Sequence, residues 1–231
     1  ALNPAGKPLV VEAWVKAEKP GGVIVARGGP AQGYALVLKD GIPHMVLRSD
    51  DDAFSVGAGK NRIVGDWHHV TGVLTPQKEL SIYVDGQLAG SKKVPRLIAG
   101  EPAQAMEVGS DEQGAVGNYN SPFGLTGLVD DVKVYFGEIS QTEIAQHAKA
   151  NPKETQAANA ELVVHLTFDD SKANDVSGHK HHGTMGAVET VEGPFGLAAR
   201  FEGRRSSQSM PYYVVHNWKK TIPLHVRAMT K

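Results

Sequence analysis

The sequence lacks cysteine and carries almost no net charge. The missing cysteine excludes disulfide bonds, thiolate catalysis and cysteine-ligated zinc. The 24 basic and 25 acidic side chains give a formal charge of -1, so no broad basic field is available to attract nucleic acid. No apolar run approaches about 18 residues, which argues against membrane insertion, and the first residues do not read as a signal peptide.

Short β-type runs separated by glycine-containing turns dominate what is present. Asp-Gly pairs at 40–41 and 85–86 predict hairpins, because they accept the positive φ of a type I′ turn. One helix is predicted over 140–150, where Ser140 and Glu143 have the spacing of a capping box. The sequence therefore predicts an all-β protein with one short helix.

Four segments occur in the order used by a known family of β-sandwich domains. They are VEAWVKA (11–17), WHHVTGVL (67–74), LSIYVDGQLAG (80–90) and GLVDDVKVYFGEISQTEI (127–144). In this order and at these spacings, they resemble the laminin-G-like branch of the concanavalin A-like lectin/glucanase superfamily. The resemblance implies an antiparallel β-sandwich of the jelly-roll type, with the short helix after the main body.

The segments that usually begin a domain of this family occur near the end of this chain. They are LVVHLTFDD (162–170), NDVSGHKHHGT (174–184) and LAARFEG (197–203). They either supply C-terminal strands that complete the sheets of the main body or begin a second copy. We favour completion, because too few residues follow Gly203 for a domain of about 100–150 residues.

The predicted domain organisation follows from this preference. We expect a single sandwich over residues 1–210. It consists of a main body (1–150), a polar linker (151–160) and the added strands (161–203). Residues 211–231 are expected to form a tail leading toward a following domain.

Three histidines in the second added segment raise the question of a metal site. Adjacent residues of a strand point to opposite faces, so His181 and His182 cannot share one ion. His179 and His181 could share one, but only with further ligands from elsewhere. We favour a turn that leads into a strand.

Two loops have the composition of a carbohydrate-binding surface, which combines aromatic stacking with planar polar groups. In loop 112–123 the predicted ligand-binding residues are Asn118, Tyr119 and Asn120. The second loop is the turn that begins at Arg27. Tyr119 has an alternative role, which is simply to pack the loop against the domain.

The resemblance also implies a structural calcium ion, held by carboxylates and backbone carbonyl groups that suit this hard cation. The matching positions are Asp130, in the GLVDD segment, and Asp169, Asp170 and Asp175, in the added segments. Of these, Asp130 and Asp169 are the predicted metal ligands. Aspartate is equally common as a turn residue, so its presence alone does not decide for a metal.

A catalytic role is not expected. Glucanases of this superfamily carry alternating carboxylates on one strand for a retaining mechanism. The nearest stretch, MEVGSDEQG, has Glu107 and Asp111 but places Gly109 between them.

We therefore expect a non-catalytic carbohydrate-binding module of a larger exported bacterial protein, located outside the cytoplasm. Its partners would be a glycan and neighbouring domains of its own polypeptide. One alternative is a structural domain that docks on those neighbours and binds no sugar. The least favoured alternative is a glycoside hydrolase.

Overall fold

The computed structural model describes residues 2–112, 114–121, 123–155, 157–186 and 188–203, and the backbone of 213–215. The strands are β1 (Leu9–Ala17), β2 (Gly22–Gly28), β3 (Gln32–Lys39), β4 (Ile42–Ser49), β5 (Asp52–Gly57), β6 (Trp67–Leu74), β7 (Glu79–Val84), β8 (Gln87–Lys93), β9 (Met106–Val108), β10 (Thr126–Glu138), β11 (Asn159–Leu166), β12 (Gly183–Met185), β13 (Glu189–Glu192), β14 (Leu197–Glu202) and β15 (Tyr213–Val215). Between β10 and β11 lie the helix α1 (Gln141–His147) and a 3-10 turn (Pro152–Glu154).

The strands form two antiparallel sheets that pack face to face. Sheet A has the order β13-β14-β10-β1-β6-β7-β8, with β11 also paired to β10. Sheet B has the order β12-β15-β9-β2-β3-β4-β5. The predicted jelly-roll sandwich, with one short helix after the main body, is confirmed.

The C-terminal strands complete sheet A along one edge of β10. The first part of β10 pairs with β14, with Gly127 opposite Phe201. The later part pairs with β11, with Val134 opposite Val164. The domain limits at residues 1 and 210 stay a prediction, and the expected tail at 211–231 lies outside the described residues apart from the backbone of β15.

The core between the sheets follows from alternation along the strands. In β1, Val11, Ala13 and Val15 are fully buried among residues of sheet B, because every second side chain of a strand points to the same face. Glu12 and Trp14 point to the outer face of sheet A. Both outer faces are covered by other parts of the chain, and each covering holds one candidate site.

The short helix covers part of the outer face of sheet A. Its capping box is confirmed: the Ser140 side chain accepts the backbone N–H of Glu143, and Glu143 accepts the backbone N–H of Ser140. Ile144 and His147 are its buried residues. No helix in the described residues is long and apolar enough to cross a membrane.

Candidate functional site

An open cleft lies on the outer face of sheet B, between the β3–β4 hairpin and the loop that precedes β10. We call it the loop cleft; its volume is about 270 Å³. It is lined by Pro20, Gly21, Lys39, Asp40, Asn118, Tyr119 and Phe123.

The cleft exists because the loop covers an apolar patch on that face. Val23, Ala35 and Val37 project outward from β2 and β3 and belong to one apolar cluster. Tyr119 and Phe123, from the loop, pack against this cluster. The two aromatic rings stack on each other, with centroids 5.4 Å apart and an interplanar angle of 28°. They form an aromatic wall of the cleft.

Asp111 holds Tyr119 in this position. Its carboxylate accepts the Tyr119 hydroxyl at 2.5 Å and the backbone N–H of Val116 at 3.0 Å. Burial raises the pKa of Asp111, and burial together with the neighbouring Asp111 charge raises the pKa of Tyr119. The phenol therefore stays protonated and donates to Asp111.

The residues predicted to bind a ligand fall into three different environments. Asn118 is exposed and lines the cleft, with Tyr119 beside it. Asn120 is also exposed, but it is not among the residues that line the cleft. Arg27 is only 1% exposed, and its guanidinium donates to the backbone carbonyl groups of Leu2 and Gln104, so the structure does not bring it to the cleft.

Sequence reasoning missed Lys39, Asp40 and Phe123 as lining residues. Asp40 was identified only as a hairpin residue, and it does adopt the expected turn, with φ of 53° followed by 80° at Gly41. The only available signal was that turn, because the contact between the hairpin and the distant loop depends on the assembled sandwich.

The carboxylates of the nearest glucanase-like stretch are engaged with the backbone. Glu107 accepts the backbone N–H of Glu112 at 2.7 Å, and Asp111 is bonded to Tyr119 and Val116 as described. Both side chains are at most 3% exposed. Their geometry is that of groups that anchor a loop.

A second candidate site lies on the outer face of sheet A, at the aspartates predicted to bind calcium. Asp130 is 1% exposed, and its Oδ1 accepts the backbone N–H of Asp131 at 2.8 Å. Within the described residues its Oδ2 has no hydrogen-bond partner. Burial, followed by the charges of Asp131 and Asp169, raises the pKa of Asp130 to about 8.

The second predicted calcium ligand is bonded to a lysine. Asp169 Oδ2 lies 2.7 Å from Lys153 Nζ, and the same ammonium donates to the carbonyl oxygen of Phe195 at 3.1 Å. Calcium takes about six to eight oxygen ligands. The described part of the chain contains no group of three or more Asp, Glu, His or Cys residues placed to hold a metal ion. With Lys153 bonded to Asp169, the arrangement therefore does not fit calcium.

The histidine-rich segment forms a turn before β12. The rings of His179 and His181 stack in parallel, with centroids 6.0 Å apart. His179 faces Glu161 at 3.4 Å, whereas His182 Nδ1 accepts the backbone N–H of Asp175. This outcome agrees with a turn that leads into a strand.

Comparison with known proteins places this architecture in a family. The laminin-G model of the concanavalin A-like lectin/glucanases superfamily matches residues 2–145. The chain belongs to this superfamily. The four sequence segments quoted above thus identified the family correctly. No curated protein matches the chain.

Solved structures of the superfamily fold resemble the chain at low sequence identity. A heptameric SAP-like pentraxin from Limulus polyphemus has a TM-score of 0.50 and 18% identity, over 64% of this chain and 72% of the pentraxin. A candidate carbohydrate-binding protein from Bacteroides ovatus has a TM-score of 0.55 and 13% identity, over 86% of this chain. The LG4-5 domains of the mouse laminin α1 chain have a TM-score of 0.49 and 17% identity, over 58% of this chain.

The coverage of these relatives is partial. The match spans 52% of the Bacteroides protein and 36% of the laminin fragment. At such identities the likeness shows the fold alone.

Proposed function

We propose that this protein is a non-catalytic glycan-binding module, and that the loop cleft is its binding site. The observation that carries the proposal is the composition of the cleft. A stacked aromatic pair stands beside an exposed amide, a carboxylate and an ammonium group, contributed by Asn118, Asp40 and Lys39.

These groups have the chemistry that a sugar ring requires. The C–H face of a pyranose packs on an aromatic surface such as Tyr119 and Phe123. Its hydroxyl groups both donate and accept hydrogen bonds, and amide and carboxylate side chains offer both kinds of partner. A cleft of about 270 Å³ accommodates roughly one sugar ring, so we expect recognition of a chain end or of a single exposed residue of a polysaccharide.

The comparisons support the class of ligand. The chain belongs to a lectin/glucanase superfamily, and one structural relative is a candidate carbohydrate-binding protein. The engagement of Glu107 and Asp111 with backbone N–H groups favours binding over hydrolysis. We also propose, as the sequence led us to expect, that this module belongs to a larger exported bacterial protein. It would act outside the cytoplasm, beside neighbouring domains of its own polypeptide.

A glycan array tests the proposal directly. We expect the wild type to bind at least one polysaccharide or oligosaccharide, and we expect Asn118→Ala to weaken that binding about tenfold, the loss of one well-placed hydrogen-bond pair. Asn120→Ala is the matched control, because it removes an equally exposed amide from the same loop outside the cleft. Absence of any bound glycan, with or without calcium, would refute the proposal and favour a docking domain that binds no sugar.

A further inference from the structure

Lys153 binds Asp169, one of the two aspartates at which the superfamily resemblance implies a calcium ion. It lies in the 3-10 turn, whose start is fixed by Asn151: the Asn151 side chain accepts the backbone N–H of Lys153 at 3.1 Å. From there the ammonium reaches Asp169 Oδ2 at 2.7 Å and the carbonyl oxygen of Phe195 at 3.1 Å. One carboxylate oxygen and one backbone carbonyl oxygen are the kinds of ligand that calcium takes.

The turn Gly193–Leu197 is folded tightly around the two aspartates. A Cβ on Gly196 would lie 1.8 Å from Asp169 Oδ1, and a Cβ on Gly193 would lie 2.8 Å from Asp130 Oδ2. The backbone N–H of Leu197 also donates to Asp169 Oδ1 at 3.0 Å. Only glycine permits this approach, so the turn is built to enclose the carboxylates.

The ring of Phe195 fixes the carbonyl group that Lys153 contacts. It packs edge-on against Trp14, with centroids 5.1 Å apart. Trp14 stands on β1 directly opposite Asp130 in the sheet register. The partly exposed lysine contact is thereby tied to the outer face of sheet A.

The carboxylate of Asp169 is paired with a cation at this point. Asp130, Asp131 and Asp169 lie close enough for their charges to interact. The carboxylate of Asp131 is paired with His165 Nε2 at 2.8 Å. Lys153 is the charged partner of Asp169, and its own pKa is raised, first by the hydrogen bond to Asp169 and further by the charges of all three aspartates.

We propose that the Lys153 ammonium takes the place of a divalent cation in this domain, so that the fold does not depend on calcium. The lysine is a compact point charge with three donors, and it can bind the oxygen atoms that would otherwise coordinate a metal. Removing the side chain opens this position, and we expect the vacated oxygen atoms, together with the partnerless Oδ2 of Asp130, to bind calcium.

Thermal unfolding of the wild type and of Lys153→Ala, in EDTA and in calcium chloride, tests the proposal. A concentration of about 5 mM calcium exceeds the range of weak extracellular sites. We expect the wild-type Tm to be the same in both buffers. Lys153→Ala should lose about 2–4 °C in EDTA, a shift typical of a partly exposed ion pair in a domain of this size, and regain most of it in calcium but not in magnesium.

Lys149→Ala is the matched control, because Lys149 is an exposed lysine four residues earlier in the same segment. It should leave the Tm and its insensitivity to calcium unchanged. In the double variant Lys153→Ala, Asp169→Asn the calcium response should disappear. The proposal is overturned if calcium raises the Tm of the wild type by several degrees, if Lys153→Ala unfolds at the wild-type temperature in both buffers, or if calcium does not restore the Tm that Lys153→Ala loses. Glycan binding does not enter either readout.

Discussion

The residues covered on the two outer faces of the sandwich differ in polarity: those on sheet A include charged side chains, and those on sheet B are aliphatic. On sheet A, the buried side chains include Glu12, Asp130 and Lys133, each about 1% exposed, beneath α1, the 3-10 turn and the Gly193–Leu197 turn. On sheet B, the covered residues are aliphatic, such as Val23 and Val37, and a single loop closes over them.

Glu12 shows how the charged face is kept stable. Both of its carboxylate oxygens lie 3.1 Å from His147 Nδ1, which belongs to α1. The Tyr135 hydroxyl and the Lys133 ammonium approach it at 3.4 Å and 4.0 Å. Burial opposes ionisation, but the His147 hydrogen bond and the charges of His69, His147 and Lys133 outweigh it and lower the pKa of Glu12.

The outer face of sheet A is closed, and the outer face of sheet B is open at the loop cleft. On sheet A, Glu12, His147 and Lys133 are buried and contact one another over the strands. On sheet B the buried Asp111 bonds to Tyr119 of the loop. Asn118 of the loop and Asp40 of the β3–β4 hairpin line the open cleft. This difference supports our proposal that the open face is the binding face.

Replacing the central carboxylate of the closed face should have the largest effect. Glu12→Ala removes the buried carboxylate that His147 and Lys133 face, and we expect a loss of about 3–5 kcal/mol in the free energy of unfolding. Glu12→Gln, which keeps the shape of the side chain, should lose less.

Glu79→Ala is the control, because Glu79 is 40% exposed and pairs with Lys93 in solvent. Its loss in the free energy of unfolding should be below about 1 kcal/mol. Chemical denaturation measures all three, and equal losses for Glu12→Ala and Glu79→Ala would refute the contrast.

Removing the anchor of the open face should have a smaller effect on stability. Asp111→Ala deletes the acceptor for Tyr119 and Val116, and we expect a loss of about 2 kcal/mol. Tyr119→Phe, which removes only one of these bonds, should lose about half as much. Asp66→Ala, at an exposed position, is the control. The same denaturation experiments apply, and a wild-type stability for Asp111→Ala would show that the loop is held by its apolar contacts alone.

The pH dependence of stability should also reflect the buried charge on sheet A. The pKa of Asp130 is about 8 in the folded protein and near 3.8 as an ordinary carboxyl group. Between these values the folded state binds a proton that the unfolded state has released, so stability should fall as the pH rises through this window. Asp130→Asn removes this titrating carboxyl group. Toward pH 8 we expect the free energy of unfolding of the variant to exceed that of the wild type by about 1–3 kcal/mol, the cost of leaving a buried polar atom without a hydrogen bond. Near the pKa of an ordinary carboxyl group we expect no difference.

Unfolding free energies measured across that window check this prediction. Asp66→Asn serves as the control, since an exposed carboxyl group should leave the pH profile unchanged. A constant difference between Asp130→Asn and the wild type at all pH values would show that Asp130 does not titrate in this range.

Features encoded by neighbouring residues could be predicted from the sequence. The alternation of β1, the Asp-Gly turns and the capping box at Ser140 depend on backbone geometry within a few positions, and the structure has all of them. The sandwich and its completion by the C-terminal strands could be predicted from the family resemblance, because the order of the matching segments reflects the order of strands in the fold.

Features that depend on distant contacts could not be predicted. Arg27 looked like a polar turn residue, but the N-terminal segment and the backbone of Gln104 bury it. Residues 151–160 were predicted only as a polar linker, yet Lys153 meets Asp169, which follows β11, in the sandwich where β11 pairs with β10. Neither residue carries a local pattern that reveals its partner.

Titration of one array-positive glycan into three proteins, followed by calorimetry, tests glycan binding at the loop cleft most directly. The proteins are the wild type, Asn118→Ala on the open face and Lys153→Ala on the closed face. We expect Asn118→Ala to raise the Kd about tenfold and Lys153→Ala to leave it unchanged. A wild-type Kd for Asn118→Ala, or an equal loss in both variants, would contradict the assignment of the cleft as the binding site.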